Sequence, residues 1–174
     1  MKKYMILFTV GKDRPGIVSD VSTLLFERGA NIEDSRMAVL GGCFSIMTLF
    51  SCRPEELTAI EADLESLRGL GLEMLLHKAE DPAARPCRAT LPLKFELVSM
   101  DHPGIIQKIV RVLHRHNINI RTLNTEVIRA PLSGAPLFDL FLEADVPAEE
   151  PIAQIKNELL ELAAGMNLDI HFKN

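Results

Sequence analysis

Aromatic residues make up only 5% of this 174-residue sequence. Proteins that hold single-stranded RNA stack its bases on strand aromatics, and there are too few here to build that surface. No run of Lys and Arg stands out, and the formal net charge is −5 with a pI near 5.5. Phosphate contacts supply most nucleic-acid affinity, so an acidic chain without a basic stripe is not expected to bind nucleic acid directly. No segment approaches the ~20 apolar residues of a membrane span. The opening "MKKYMILFTV" has too short an apolar run for a leader, because charge and a turn over Gly11–Gly16 break it. The three cysteines, Cys43, Cys52 and Cys87, form no close-spaced pair. An odd count without a secretion signal predicts a reducing, cytoplasmic setting. All three are read as packing or surface residues.

Constellations for catalysis or metal binding are also missing. Asp101 and His102 are adjacent, but no serine or cysteine is placed for them to activate, and Ser99 reads as a strand end. Arg14 lies in a turn without the remainder of a phosphate-cradling loop. His114 and His116 are two apart on a predicted helix, not the four that would align them on one metal, and both are read as solvent-facing. No enzyme, metal or cofactor is expected.

What is present is a repeat. "DRPGIV" at 13–18 returns as "DHPGII" at 101–106, and the same offset of 88 carries Leu7 to Phe95, Leu25 to Leu113 and Asn31-Ile32 to Asn119-Ile120. One register held across a turn, a helix and the start of a strand predicts an internal duplication. The first copy reads as strand 3–10 and a helix striped by Ile17, Val18, Val21, Leu24 and Leu25, closed by Gly29. Strands 31–40 and 43–52 follow around a Gly41-Gly42 turn, then a helix after Pro54 and strand 72–78. The second copy reads as strand 93–99, helix 103–116, strands 118–129 and 136–145, helix 149–164 and strand 167–173.

The order βαββαβ, twice, predicts an α+β protein of two ferredoxin-like domains, each an antiparallel sheet with helices on one face. The expected boundaries are 1–80 and 92–174, with a Pro-rich, semi-stiff spacer at 81–91. The hairpin "APLSGAP" at 130–136 is expected to be exposed and mobile. Strand 31–40 falls at a sheet edge, and strand 43–52 carries apolar residues on both faces. Together these predict association of sheets, with a homodimer as the expected form.

The repeated turn has chemistry to offer. Asp13 is suited to cap the helix, Pro15 to its first turn, and Gly16 to close approach of a ligand to the backbone. Free N–H groups at a helix start favour a carboxylate, and a nearby Asp favours an ammonium group, so an α-amino acid would satisfy both. A capping Asp13 would compete for those same N–H groups. Asn31 and Asn119 stand at the far end of each first helix, so one domain cannot bring its own turn and its own Asn to one small ligand. Two domains side by side could, which would explain why the phrase is written twice. The turn taken alone reads first as a well-made helix start, and each Asn is also readable as a polar helix exit.

A βαββαβ unit with "DRPGIV" entering its first helix and "GANIED" entering its second strand resembles the ACT domain, a module that binds amino acids and similar small ligands. The resemblance covers both halves. The first copy is the more similar, and through "NIEDSR" and its hairpin glycines it resembles tandem-ACT transcriptional regulators of the glycine cleavage system. The ACT segment of formyltetrahydrofolate deformylase is also similar, without that enzyme's catalytic domain. The resemblance implies a ligand held at a domain interface by Asp13, Gly16 and Ile17 with Asn31, and by Asp101, Gly104 and Ile105 with Asn119. Some family sites carry an amide where this chain has Asp13 and Asp101. The resemblance further implies a non-enzymatic regulator, signalled by glycine or a similar small amino acid and acting through a DNA-binding protein partner. The alternative is an adaptor that binds protein and no metabolite.

Overall fold

In a computed structural model, which describes residues 2–84, 89–130 and 133–173, the chain divides into two compact units, Met1–Pro86 and Cys87–Asn174. The first runs β1 (Lys3–Lys12), α1 (Ile17–Glu27), β2 (Asn31–Leu40), β3 (Cys43–Cys52), α2 (Pro54–Arg68), β4 (Leu72–Ala79). The second runs β5 (Thr90–Met100), α3 (Ile105–Arg115), β6 (Asn119–Arg129), β7 (Pro136–Pro147), α4 (Ile152–Met166), β8 (Asp169–Lys173). Each unit is a four-stranded antiparallel sheet, in the orders β2-β3-β1-β4 and β6-β7-β5-β8. These are tandem ferredoxin-like units, with β2 and β6 at sheet edges as the sequence predicts. Thr90 and Leu91, the end of the stretch read as spacer, are strand. Cys87, most of the spacer's centre and Pro131-Leu132 of the second hairpin lie outside the described residues. No helix among the described residues is long and apolar enough to cross a membrane.

Period-two alternation on the strands and helical stripes on α1–α4 meet in one core per unit. The first core is built on Leu7, Ile17, Leu25, Phe50 and Ile60, and the second on Phe95, Ile109, Leu113, Leu140 and Leu142, all at most 1% exposed. Phe95 meets the edge of Phe172 at 5.8 Å between ring centroids. At the exit of α1, Gly29 takes φ 70°, and Ala30 N–H donates back to the Leu25 carbonyl at 2.9 Å. At the exit of α3, Asn117 takes φ 52°, and Ile118 N–H donates to the Leu113 carbonyl at 3.0 Å. This is one helix-ending motif made with the two residue types that best tolerate a left-handed backbone. A register shift follows in both units, between Ile32 and Asp34 and between Ile120 and Thr122, leaving Glu33 and Arg121 as matched bulge residues.

The sheet faces turned away from the helices differ between the units. In the first, Ile6 pairs with Leu49, and Phe8 pairs with both Met47 and Leu75. This face is apolar and open, with Met47 42% and Leu75 63% exposed. In the second, the matching pairs are Lys94 with Glu143, and Glu96 with Phe141 and His171. Lys94 Nζ lies 3.1 Å from Glu143 Oε1, and Lys173 Nζ lies 2.8 Å from Glu96 Oε2.

Candidate functional site

The Asp-x-Pro-Gly turns join β1 to α1 and β5 to α3. Gly16 and Gly104 are the N-cap residues themselves, each at φ 96°, and no side chain caps either helix. The capping role expected of Asp13 therefore fails, and Pro15 lies one residue before the cap instead of inside the first helical turn. The physical reason is the glycine: its left-handed backbone turns the chain into the helix directly, so the preceding Asp is not needed to close the start. Asp13 is pinned through its main chain, its N–H donating to the Gly42 carbonyl at 3.0 Å across the hairpin tip. The first intrahelical bonds are Asp20 N–H to Gly16 O at 2.8 Å and Lys108 N–H to Gly104 O at 3.1 Å. The amides of the first turn precede these bonds and have no carbonyl within the helix to reach. Ile17 and Ile105 are buried, at 1% and 2%, so their side chains belong to the core and only their backbone can serve a ligand. Asp101 and Gly104 are exposed, as are Asp13 and Gly16.

Each unit gathers its turn at one end, with its Asn beyond the far end of an 11-residue helix, about 16 Å away. Asn31 is exposed and its Nδ2 donates to Glu33 Oε1 at 3.1 Å, while Ser51 Oγ donates to the same oxygen at 2.6 Å. Those two bonds, the Ser51 one foremost, hold the Glu33 carboxyl below its usual range against an opposing push from burial. The Tyr4 phenol opposite Ser51 is held above its usual range, by burial first and then by the charges of Asp81 and Glu33. At the matching place in the second unit, Asn119 is exposed and Arg121 Nη2 donates to Asp145 Oδ2 at 3.0 Å. The bulge partners are a feature that residue reading missed. "NIED" against "NIRT" was a visible signal of difference, but the bulge that aims Glu33 and Arg121 depends on cross-strand register.

The turns also differ. Arg14 Nη2 donates to Asp20 Oδ2 at 2.8 Å and its Nη1 to the Pro15 carbonyl at 3.3 Å, bridging the entrance of α1. His102 and Lys108 occupy those positions in the second unit and cannot make that bridge. There the turn opens on a groove of about 690 Å³ alongside α3, lined in part by Gly104, Ile105 and Phe138.

His116 departs from expectation. It is not solvent-facing: its side chain is 15% exposed, with Nδ1 3.2 Å from Glu150 and Nε2 3.0 Å from Glu158. The contact depends on where α4 lies, which helix spacing alone does not fix. His114 is exposed as expected. Among the described residues no group of three or more His, Cys, Asp or Glu could hold a metal ion. Cys43 is exposed and Cys52 buried. Burial, then the charges of Glu56 and Glu55, push the Cys52 thiol up, the reverse of what a nucleophilic cysteine needs.

Residues 3–77 and 95–164 each match the ACT-domain family. The chain is 30% identical over 166 residues to the glycine cleavage system transcriptional repressor of Escherichia coli, covering 94% of this chain and 86% of that protein. The repressor of Shigella flexneri matches to the same extent. The crystal structure of an unknown protein from Galdieria sulphuraria superposes with a TM-score of 0.86 at 28% identity, over 99% of this chain and 98% of that one.

Proposed function

Since the chain belongs to the ACT-domain family and carries two such domains in tandem, we propose that it is a non-enzymatic regulator that senses a small amino acid, glycine or one like it. The observation that carries this reading is the duplicated turn: in both units a glycine at φ 96° starts the helix and leaves its first amides without a side-chain cap. Those amides, with the positive end of the helix dipole, suit a ligand carboxylate. Asp13 and Asp101, free of capping duty, suit its ammonium group. Asn31 or Asn119, from a neighbouring copy of the fold, completes the cradle. The signal passes by contact with a DNA-binding protein partner in the cytoplasm. Kinship with a transcriptional repressor of the glycine cleavage system supports this route. The regulator works as a homodimer. A second copy covers the apolar sheet face of the first unit with its own matching face, whereas the corresponding face of the second unit carries ion pairs of its own.

Thermal melts with a panel of amino acids, glycine and serine first, test the sensing. A ligand at 100 times its dissociation constant should raise stability by about 2.7 kcal/mol. Asn119→Ala should weaken the response without lowering the unliganded melt, and Asn31→Ala should weaken it with a small loss of unliganded stability, because Asn31 also bonds Glu33. Gly16 and Gly104 are poor test positions, since any side chain at that φ is strained. A melt that no amino acid moves would leave the adaptor reading standing.

A further inference from the structure

The groove beside α3 is larger than a small amino acid requires. Its volume of about 690 Å³ falls in the range of sites that hold much bigger ligands. Its apolar lining is Pro103, Ile105, Ile106, Val110 and Phe138, and its polar lining His102, Gln107, Arg111 and His114. The lining from Gly104 to His114 follows the helix for about 15 Å, close to three turns. Apolar surface continues beyond the groove. Val127 pairs with Phe138 on the edge strand β6 and is 56% exposed, and Leu123 on the same face is 37% exposed. A long open trough with a largely apolar lining suits a segment of protein better than an enclosed metabolite.

Charge narrows the occupant. Helix α3, "IIQKIVRVLHR", contains no acidic residue in a chain of net charge −5. It exposes Lys108, Arg111, His114 and Arg115, and among the described residues only Arg115 has a carboxylate partner, Glu158 at 3.1 Å. The matching helix of the first unit carries Asp20 and Glu27 instead, and its entrance is bridged by Arg14. We propose that the α3 groove of the second unit docks an amphipathic helix of a protein partner, with an apolar stripe in the trough and Asp or Glu residues facing Arg111 and His114. This deepens the protein-contact part of the proposed function and rests on that part alone, not on amino-acid sensing.

The test uses the full chain and a fluorescein-labelled amphipathic peptide of about 16 residues with a Leu stripe flanked by Glu, beside a twin with Lys for Glu. In fluorescence anisotropy the Glu peptide should bind, weaken with added salt, and bind Arg111→Glu at least about fivefold less tightly. The Lys twin should bind the wild type poorly and gain on Arg111→Glu. Ile106→Asp, at an exposed position, should abolish both while the melt stays put. Equal binding of the two peptides, or no change on Arg111→Glu, overturns the proposal. So does sedimentation showing a dimer that Arg111→Glu dissociates, because the occupant would then be a second copy. Amino-acid melts on the same samples keep the two ideas apart. A glycine response without peptide binding removes the docking site alone, and peptide binding without any amino-acid response removes the sensing alone.

Discussion

At four places on the outer face of the first sheet stand Ile6, Phe8, Leu49 and Leu75, and at the matching places of the second stand Lys94, Glu96, Glu143 and His171. The cores differ in the opposite sense. Thr9 and Thr48 are buried at 0% and 1% with hydroxyls that have no hydrogen-bond partner among the described residues, whereas Leu97 and Leu142 fill the matching places. So the first unit is polar where a core should be apolar and apolar where a surface should be polar, and the second unit follows the ordinary pattern. The backbone nonetheless repeats down to its irregularities: glycine N-caps at φ 96°, left-handed helix exits, and one bulge each in β2 and β6. Duplication kept what dihedral angles and register demand, and it let side chains of the core and of the outer sheet face diverge.

The largest effect should come from giving the first face the charges of the second. Ile6→Lys with Phe8→Glu and Leu49→Glu recreates the Lys94–Glu143 pair and its neighbour Glu96 on the first sheet. Sedimentation velocity should then show a monomer under conditions where the proposed dimer of the wild type is expected. Met47→Lys should act in the same direction, while Phe141→Lys at the matching place, beside Glu96, should leave the oligomeric state alone. Equal behaviour of Met47→Lys and Phe141→Lys would mean that the contrast between the faces has no bearing on assembly.

The cores give the next effects. Leu97→Thr or Leu142→Thr should cost about 3 kcal/mol, from lost apolar burial plus an unpaired hydroxyl. Thr9→Val and Thr48→Val should each stabilise by about 1 kcal/mol, since the shape is kept and an unpaired hydroxyl is removed. Urea titrations read both, with separate unfolding of the two units fitted where it occurs. Destabilisation by Thr9→Val would mean that its hydroxyl has a partner, a buried water being the natural one, and that the first core is less anomalous than its side chains suggest.

Much of the fold could be read from residue order because it rests on local demands. Gly41-Gly42 can take the positive φ of a two-residue hairpin, and Gly29 the left-handed helix exit, so the boundaries of β2, β3 and α1 were legible. Asn117 was harder to see, as asparagine fills many roles other than a left-handed one. The Asp13 cap was misjudged because an Asp before Pro-Gly is compatible with two helix starts, and only the φ of Gly16 decides between them. Glu33, Arg121 and His116 gain their meaning from partners 18, 24 and 42 residues away, at Ser51, Asp145 and Glu158, and nothing local announces those meetings. The α3 groove was hidden for the same reason: Phe138 comes from β7 and joins the helix only in the folded unit.

A smaller effect separates the two helix exits. Asn117→Gly should be nearly neutral and Asn117→Ala should cost about 1 kcal/mol, since alanine resists the left-handed backbone. Gly29→Asn is not its mirror image, because a Cβ there would sit 2.9 Å from Glu56 Oε1 and push that side chain from its place at the start of α2.

The smallest effect is expected in acid, where both units should respond with the same sign through different partners. The Glu158 carboxyl is held below its usual range chiefly by the hydrogen bond with His116, with Gln154, His116 charge and Arg115 assisting and burial opposing. Glu33 is held down by Ser51 and Asn31. A carboxyl whose folded pKa is depressed stabilises the fold above its unfolded pKa, and that contribution is lost as pH falls through the folded value. Glu158→Gln and Glu33→Gln should therefore be less stable than wild type at neutral pH, and the gap should close below the ordinary glutamate range. Melts of the three proteins between neutral and acidic pH check this. A gap that stays constant with pH would show that the two carboxylates act through packing rather than charge, and the two units would then share no acid response.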